Sequence, residues 1–546
     1  MCPRLSCRWQ RIVLVLLGIA VAVAGCGPSG SKPTARKKKA PPAGALVPAE
    51  QPAPENASRP TTGTRSGSPG DDSPAVADHA QGLAAENPSG QRRLPPGFGP
   101  AHMPSGPRTF SDLIASGQEA SESPAAVSVS AAQEGEAAEL LIDDNQAAAA
   151  GIRKLAGKHL ALYTDVLPGP DIDDLTAAFD AAVPRWCQYF EIPAERAADW
   201  RLTGFLMQEK NRFVGTGMLP ADLPPFPNGY QRGKCLWVYN QAYGYYRRHL
   251  LLHEGTHAFM DHFLGGLGPP WYAEGMAELL GTHRWQDGQL TIGYVPKDKT
   301  ETPGWGRVKI IKDEAAAGRG LMPAAIMDFG PTAHQRNEPY GWCWGLASFL
   351  DAHPRCQAAF RQLRGMVRKP KLTDWFRQQL QADWPDINEE WQLFVMNLDY
   401  GYDVGRQAIV RKSAQPLPPE GATATITADR GWQSTGIRLE AGAAYRLAAK
   451  GRYQIGKSSD IWWCEPGGIT LHYNQGRPLG LLLGAVRDET QPLAGLTPLA
   501  RPEVVGVETT LTVRTPGTLY LKVNESAAGL SDNAGQIVIR IARTES

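Results

Sequence analysis

The chain is short of cysteine, of net charge and of long apolar runs. Its eight cysteines among 546 residues are widely spaced and form no CxxC pair, which excludes a thiolate zinc site and a disulfide-dense scaffold. A formal net charge of +1, with no basic stripe, leaves out the electrostatic footprint of a nucleic-acid partner. The apolar run from Ile12 to Val23 is shorter than the ~20 residues a membrane-spanning helix needs. Large apolar residues are also scarce between Gly27 and about Gly135, where Pro, Ala, Gly and Ser dominate. Such a composition cannot bury enough surface to offset its ordering entropy, so a disordered tether is expected there.

Arg4, Arg8 and Arg11 precede that apolar run, which ends in Val23-Ala24-Gly25-Cys26. The arrangement has the shape of an exported signal peptide, with an uncleaved anchor helix as the alternative. Its last four residues resemble the bacterial lipobox. The resemblance implies cleavage before Cys26, a lipid on Cys26, and a chain anchored to a bacterial membrane in the cell envelope, facing the periplasm or the exterior. The expected organisation is a signal peptide over 1–25, a tether over 26–135, an α+β domain over 136–410 and a β domain over 411–546. A flexible tether of that length reaches roughly 60 Å. Lys37, Lys38 and Lys39 within it read as a solvated charge run or as a contact to anionic headgroups. With Cys2, Cys7 and Cys26 at that end, five cysteines remain: Cys187, Cys235, Cys343, Cys356 and Cys464. The number is odd, and both buried thiols and a single disulfide fit it.

Order is expected from about Glu136. KHLALYTDV, RLTGFLMQ and KCLWVYNQ read as strands. IDDLTAAFDAAVPRWCQYF places Leu175, Phe179, Ala182, Trp186 and Phe190 near one helical face, with Pro184 as a kink point. A further apolar helix is expected from about Tyr246 to Leu264. Strands and helices mixed in this way make an α+β domain.

That last helix contains His253-Glu254-Gly255-Thr256-His257. Four residues make just over one helical turn, so both imidazoles leave the same face and can share one tetrahedral ion. Glu254 lies beside such an ion, where it can take a proton from an activated water. A Gly-Gly-Leu-Gly-Pro-Pro reversal comes next, and then Trp271-Tyr272-Ala273-Glu274-Gly275-Met276-Ala277-Glu278. The two segments together resemble the gluzincin zinc metallopeptidases, in which HExxH is followed by a W-x-x-E-G-x-A-E-like helix. The resemblance covers about Lys158 to Tyr400. It implies zinc held by His253, His257 and Glu274, with Glu254 as general base and a peptide or protein as substrate. It makes Glu278 a hydrogen-bond partner of a zinc-bound imidazole, and a solvated helix carboxylate is the other reading of that residue. Phe263 stands where a metzincin would carry its third His, which sets that alternative aside.

Tyr340-Gly341-Trp342-Cys343-Trp344-Gly345-Leu346-Ala347-Ser348 resembles the Tyr-bearing helix that comes after the third ligand in gluzincin-like domains. Tyr340 is the candidate oxyanion donor, or else an aromatic packed beside Pro339. His262, His334 and Tyr243 are weaker candidates.

Beyond about Val410 the pattern turns to short alternating strands broken by Gly, Pro and Asn, which predicts an all-β sandwich. WQSTGIRLEAG, RPLGLLLGAV and LYLKVNESAAGLSDNAGQIVIRI resemble the galactose-binding jelly rolls of bacterial galactophilic lectins. In that family a late loop binds calcium, which in turn binds sugar hydroxyls. The matching positions are Glu525, Asp532 and Asn533, with Glu525 where the family has Asp. A calcium-assisted module for cell-surface glycans and a metal-free structural domain both remain open. Three functions fit these patterns: an envelope zinc peptidase, an inactive scaffolding lipoprotein, and a glycan-binding lipoprotein with the exposed aromatics Trp462 or Trp463.

Overall fold

A computed structural model describes residues 140–333 and 336–544. The signal-peptide and tether segments, Cys26 and His334 lie outside them. Among the described residues no helix is long and apolar enough to cross a membrane.

The chain has the α+β architecture its patterning suggests, with a sheet-rich C-terminal part. The first part is built on a sheet of β1 (Arg153–Ala156), β2 (Leu160–Thr164), β3 (Leu202–Met207), β4 (Gly229–Arg232) and β5 (Cys235–Tyr239), in the order β1-β2-β3-β5-β4. The inner strands β2, β3 and β5 run parallel. They are covered on both faces, which is why LALYT and LTGFLM read as almost continuous apolar runs. The two edges, β1 and β4, are antiparallel to their neighbours.

Five helices build and support the HExxH region: α1 (Leu175–Phe190), α2 (Gly244–Leu264), α3 (Pro270–Gly281), α4 (Arg307–Ala316) and α5 (Glu338–Ala352). The expected face of α1 is buried, and the helix continues through Pro184. Its Phe179 and Trp186 press against α2 at Gly255, where a Cβ would come within 2.8 Å of the Trp186 ring. A helix-interior glycine lowers intrinsic helix propensity by about 1 kcal/mol relative to alanine. Here it permits the close approach that fixes the HExxH helix on its support. Between α3 and α4 lies a hairpin of β6 (His283–Gln286) and β7 (Gln289–Ile292).

The C-terminal part stacks two sheets. One has the order β17-β16-β19-β10-β8 and the other β18-β11-β20-β9. Their members are β8 (Gln415–Pro416), β9 (Ala422–Thr427), β10 (Gln433–Leu439), β11 (Ala444–Lys450), β16 (Leu482–Arg487), β17 (Glu503–Val504), β18 (Glu508–Thr512), β19 (Gly517–Val523) and β20 (Gln536–Arg543). Alternation along β20 sends Ile537, Ile539 and Ile541 inward. Two hairpins belong to neither sheet, β12 (Tyr453–Lys457) with β13 (Ile461–Cys464) and β14 (Ile469–Asn474) with β15 (Arg477–Leu479), yet Tyr453, Ile455 and Cys464 join the sandwich core.

The two parts share a seam on α6 (Trp384–Asn397). Leu393 packs with Ile409, Trp432, Leu499 and Tyr520. The fully buried Glu389 is held by Arg487 at 3.0 Å, Arg411 at 3.2 Å and the Thr497 hydroxyl at 2.5 Å. A buried carboxylate needs such partners, because one left alone would be strongly destabilising. Cys187, Cys343, Cys356 and Cys464 are buried free thiols, and burial pushes each of them up in pKa.

Candidate metal centre

The α2 and α3 helices lie side by side and bring His253, His257 and Glu274 to one point. His253 Nε2 is 3.2 Å from His257 Nε2 and 3.3 Å from Glu274 Oε2, which is 3.7 Å from His257 Nε2. Three donors bound to one tetrahedral zinc at its usual bond lengths stand about 3.3 Å apart. Glu274 Oε2 is buried and makes no hydrogen bond, although it faces both imidazoles. An orphaned anionic oxygen between two imidazole nitrogens suits a cation, so the donor set fits zinc in identity, number and spacing.

Charge in the site is strongly coupled. Burial works against ionisation of Glu274, yet His257 and His253 hold its carboxyl far below the usual range. Burial likewise opposes protonation of His253, and Glu274 and Glu278 outweigh it, leaving the imidazole well above its usual value. Glu254 is buried, and burial raises its pKa against the pull of His253 and His257. Its carboxylate lies under the sheet's β4 edge, where a Cβ at Gly229 would collide with it. Gly229 therefore lets the edge strand sit directly against the HExxH glutamate.

Glu278 is 1% exposed, so the solvated reading of this carboxylate does not hold. Its Oε1 lies 3.4 Å from His253 Nδ1, and its Oε2 lies 3.3 Å from His249 Nε2. Arg307 donates to both oxygens at 2.8 Å, Nε to Oε2 and Nη2 to Oε1. Burial disfavours the Glu278 charge, but Arg307 and His249 keep its pKa well below normal. Arg307 also donates from Nη1 to the Trp305 carbonyl and lies over the rings of Tyr246 and Tyr340.

Tyr340, near the start of α5, sets its ring 5.9 Å from the His253 ring, edge to face. Burial first, and then Glu274, Glu254 and Glu278, raise its pKa, so its hydroxyl stays protonated. Tyr243 caps the start of α2 and is largely exposed. His262 is exposed at the far end of that helix, beside Phe263 and Trp200.

The second set of candidate ligands is arranged differently. Asp532 Oδ2 accepts from the Lys457 amide at 3.0 Å, and Glu525 Oε1 accepts from the Ser526 amide at 2.7 Å. Asn533 donates to the Ala428 carbonyl at 3.1 Å, while its own Oδ1 is buried without a hydrogen-bond partner. Burial and then Asp532 push Glu525 up to about 7, against the Ser526 amide. The same loop leans on the first part of the chain, with the Asp403 amide donating to the Ala527 carbonyl at 3.1 Å. Trp462 stacks on His472 at 4.6 Å, Arg452 lies over Trp463, and both tryptophans are exposed.

Gly229, His249 and Arg307 join the site without a motif to announce them. His249 alone has a readable sign, since it precedes His253 by the same four-residue step that separates His253 from His257.

No protein-family model matches the chain, and no curated protein matches it. Among solved structures, one described as "EclA N-terminal domain; PllA-like lectin" is 22% identical. That match covers 22% of this chain and 95% of the other, with a TM-score of 0.17.

Proposed function

We propose that the chain is a gluzincin-type zinc peptidase of the bacterial cell envelope, lipid-anchored through Cys26. The observation that carries this reading is the convergence of His253, His257 and Glu274 at zinc-like spacing with Glu254 buried alongside.

His253, His257 and Glu274 would hold the ion. Zinc, when bound, supplies a Lewis acid that brings the pKa of water to about 7 and polarises a carbonyl. Glu254 would take the proton from the attacking water and return it to the departing amine. The protonated Tyr340 hydroxyl would donate to the oxyanion that forms on the carbonyl. Glu278 would orient His253 through Nδ1. Support for a peptide substrate comes from β4. It is the sheet's edge and lies against Glu254, so an extended chain added along it would present its carbonyls beside the base.

A second reading attaches to the C-terminal part. The exposed Trp462 and Trp463 and the unpaired Asn533 Oδ1 favour a glycan module assisted by calcium at Glu525, Asp532 and Asn533. Sugar binding that vanishes on calcium chelation would support it, and binding indifferent to calcium would count against it.

The peptidase reading is tested with Glu254→Gln in the full chain, assayed on a peptide library. Zinc content should stay unchanged while hydrolysis falls by about 10²–10⁴-fold. Undiminished hydrolysis by the zinc-loaded variant would remove Glu254 as the base.

A further inference from the structure

The α2 helix presents a second group of three donors, which shares His253 with the first. His249, His253 and Glu278 each offer one donor atom, and these atoms all lie within 4.8 Å of one another; all three residues are buried. His253 uses opposite ring nitrogens for the two groups, so both can be filled together only when the ring gives up its second proton to solvent and bridges the two ions as an imidazolate. The Glu278 carboxylate faces both rings, with Oε2 3.3 Å from His249 Nε2 and Oε1 3.4 Å from His253 Nδ1, so each imidazole meets its own oxygen of one carboxylate. His249 Nδ1 is buried with no hydrogen-bond partner, so nothing on that side of the ring commits its tautomer.

Arg307 separates the two groups. Both of its donors to Glu278 measure 2.8 Å, and the guanidinium is itself buried. A planar fork that never deprotonates supplies a fixed positive charge where a second ion would need the carboxylate. The first group has no such internal cation: no arginine or lysine pairs with Glu274 among the ion pairs of the described residues, where its partners are His253 and His257.

We propose that His249, His253 and Glu278 form a latent second seat for a divalent transition metal, and that Arg307 is the positioning residue that fills it. With Arg307 in place, Glu278 is fixed against His253 Nδ1 and the imidazole offers only Nε2 to an ion. The inference rests on the zinc reading of His253, His257 and Glu274.

The test is metal stoichiometry of the full chain, equilibrated with excess zinc, desalted and measured by elemental analysis. Cobalt(II) absorption provides an independent readout of the ligand shell. The native chain should hold about one equivalent and Arg307→Gln about two, and Arg307→Gln combined with His249→Phe should return to about one. A folded Arg307→Gln chain that stays at one equivalent overturns the proposal. Should that variant not fold, the native chain in millimolar zinc decides. A single equivalent, unchanged by His249→Phe, is expected. A second equivalent that His249→Phe abolishes would mean that Arg307 does not close the seat. Failure of the zinc reading itself would look different, because the native chain would then bind no zinc at all.

Discussion

The two candidate metal regions differ in what holds their donors. In the first part of the chain His253, His257 and Glu274 project from two long packed helices, and their neighbours Glu278, Arg307 and Tyr340 are themselves locked by hydrogen bonds or ring contacts. In the C-terminal part Glu525, Asp532 and Asn533 lie on a loop after β19, and local amides and a carbonyl already engage each of them. Donors on rigid elements are held in geometry before an ion arrives, whereas donors on a loop must exchange existing partners to bind one. The first region has the preorganised donors that a metal site needs; the second is a turn whose donors already have local partners.

The largest effect should come from breaking the first. Glu274→Ala removes the only carboxylate among the three donors and should weaken zinc retention by more than the roughly 10–100-fold typical of outer-shell partners. Competition with a chelator of known affinity would read it, and an unchanged affinity would mean the third ligand is misassigned. A smaller effect sharpens the contrast. Removing zinc should lower the melting temperature of the full chain more than removing calcium does, because binding stabilises the native state by an amount that grows with the logarithm of ligand concentration over Kd. A larger response to calcium, lost in Asp532→Asn, would make the loop the tighter site.

The smallest concerns an isolated charge. Lys522 on β19 lies over the Trp432 ring, and burial, then Arg477, lowers its pKa from 10.5 to about 8. Below pH ~8 the ammonium is charged in both folded and unfolded chains, and its penalty is felt in full. Between pH ~8 and ~10.5 the unfolded chain binds the proton that the folded chain has released, so this group adds stability as pH rises. Lys522→Met should therefore raise the melting temperature at pH 7 and flatten that rise, as scanning calorimetry would show. A lower melting temperature at pH 7 would mean that the lysine is favourably paired.

How much of the molecule is legible in its sequence depends on how local the information is. The α2 and α3 helices carry their candidate donors at steps of one turn, and the reversal between them is written in glycine and proline, so HEGTH and WYAEG point to the candidate site directly. The inner strands are legible as apolar runs. The edge strand β4 is not, because Gly229-Tyr230-Gln231-Arg232 is short and half-buried and has neither apolar continuity nor clean alternation. Arg307 is illegible for another reason. It opens α4, an ordinary amphipathic helix, and its meaning lies in the buried Glu278 it meets across the fold. The burial of Glu278 itself also depends on packing of α3 against α2, which no spacing within Ala273–Glu278 reveals.

The most direct measurement is the zinc content of the full native chain beside His257→Ala after the same mild chelation. Expected is about one zinc per native chain and little in the variant. A well-folded native chain that holds no zinc would contradict the peptidase reading.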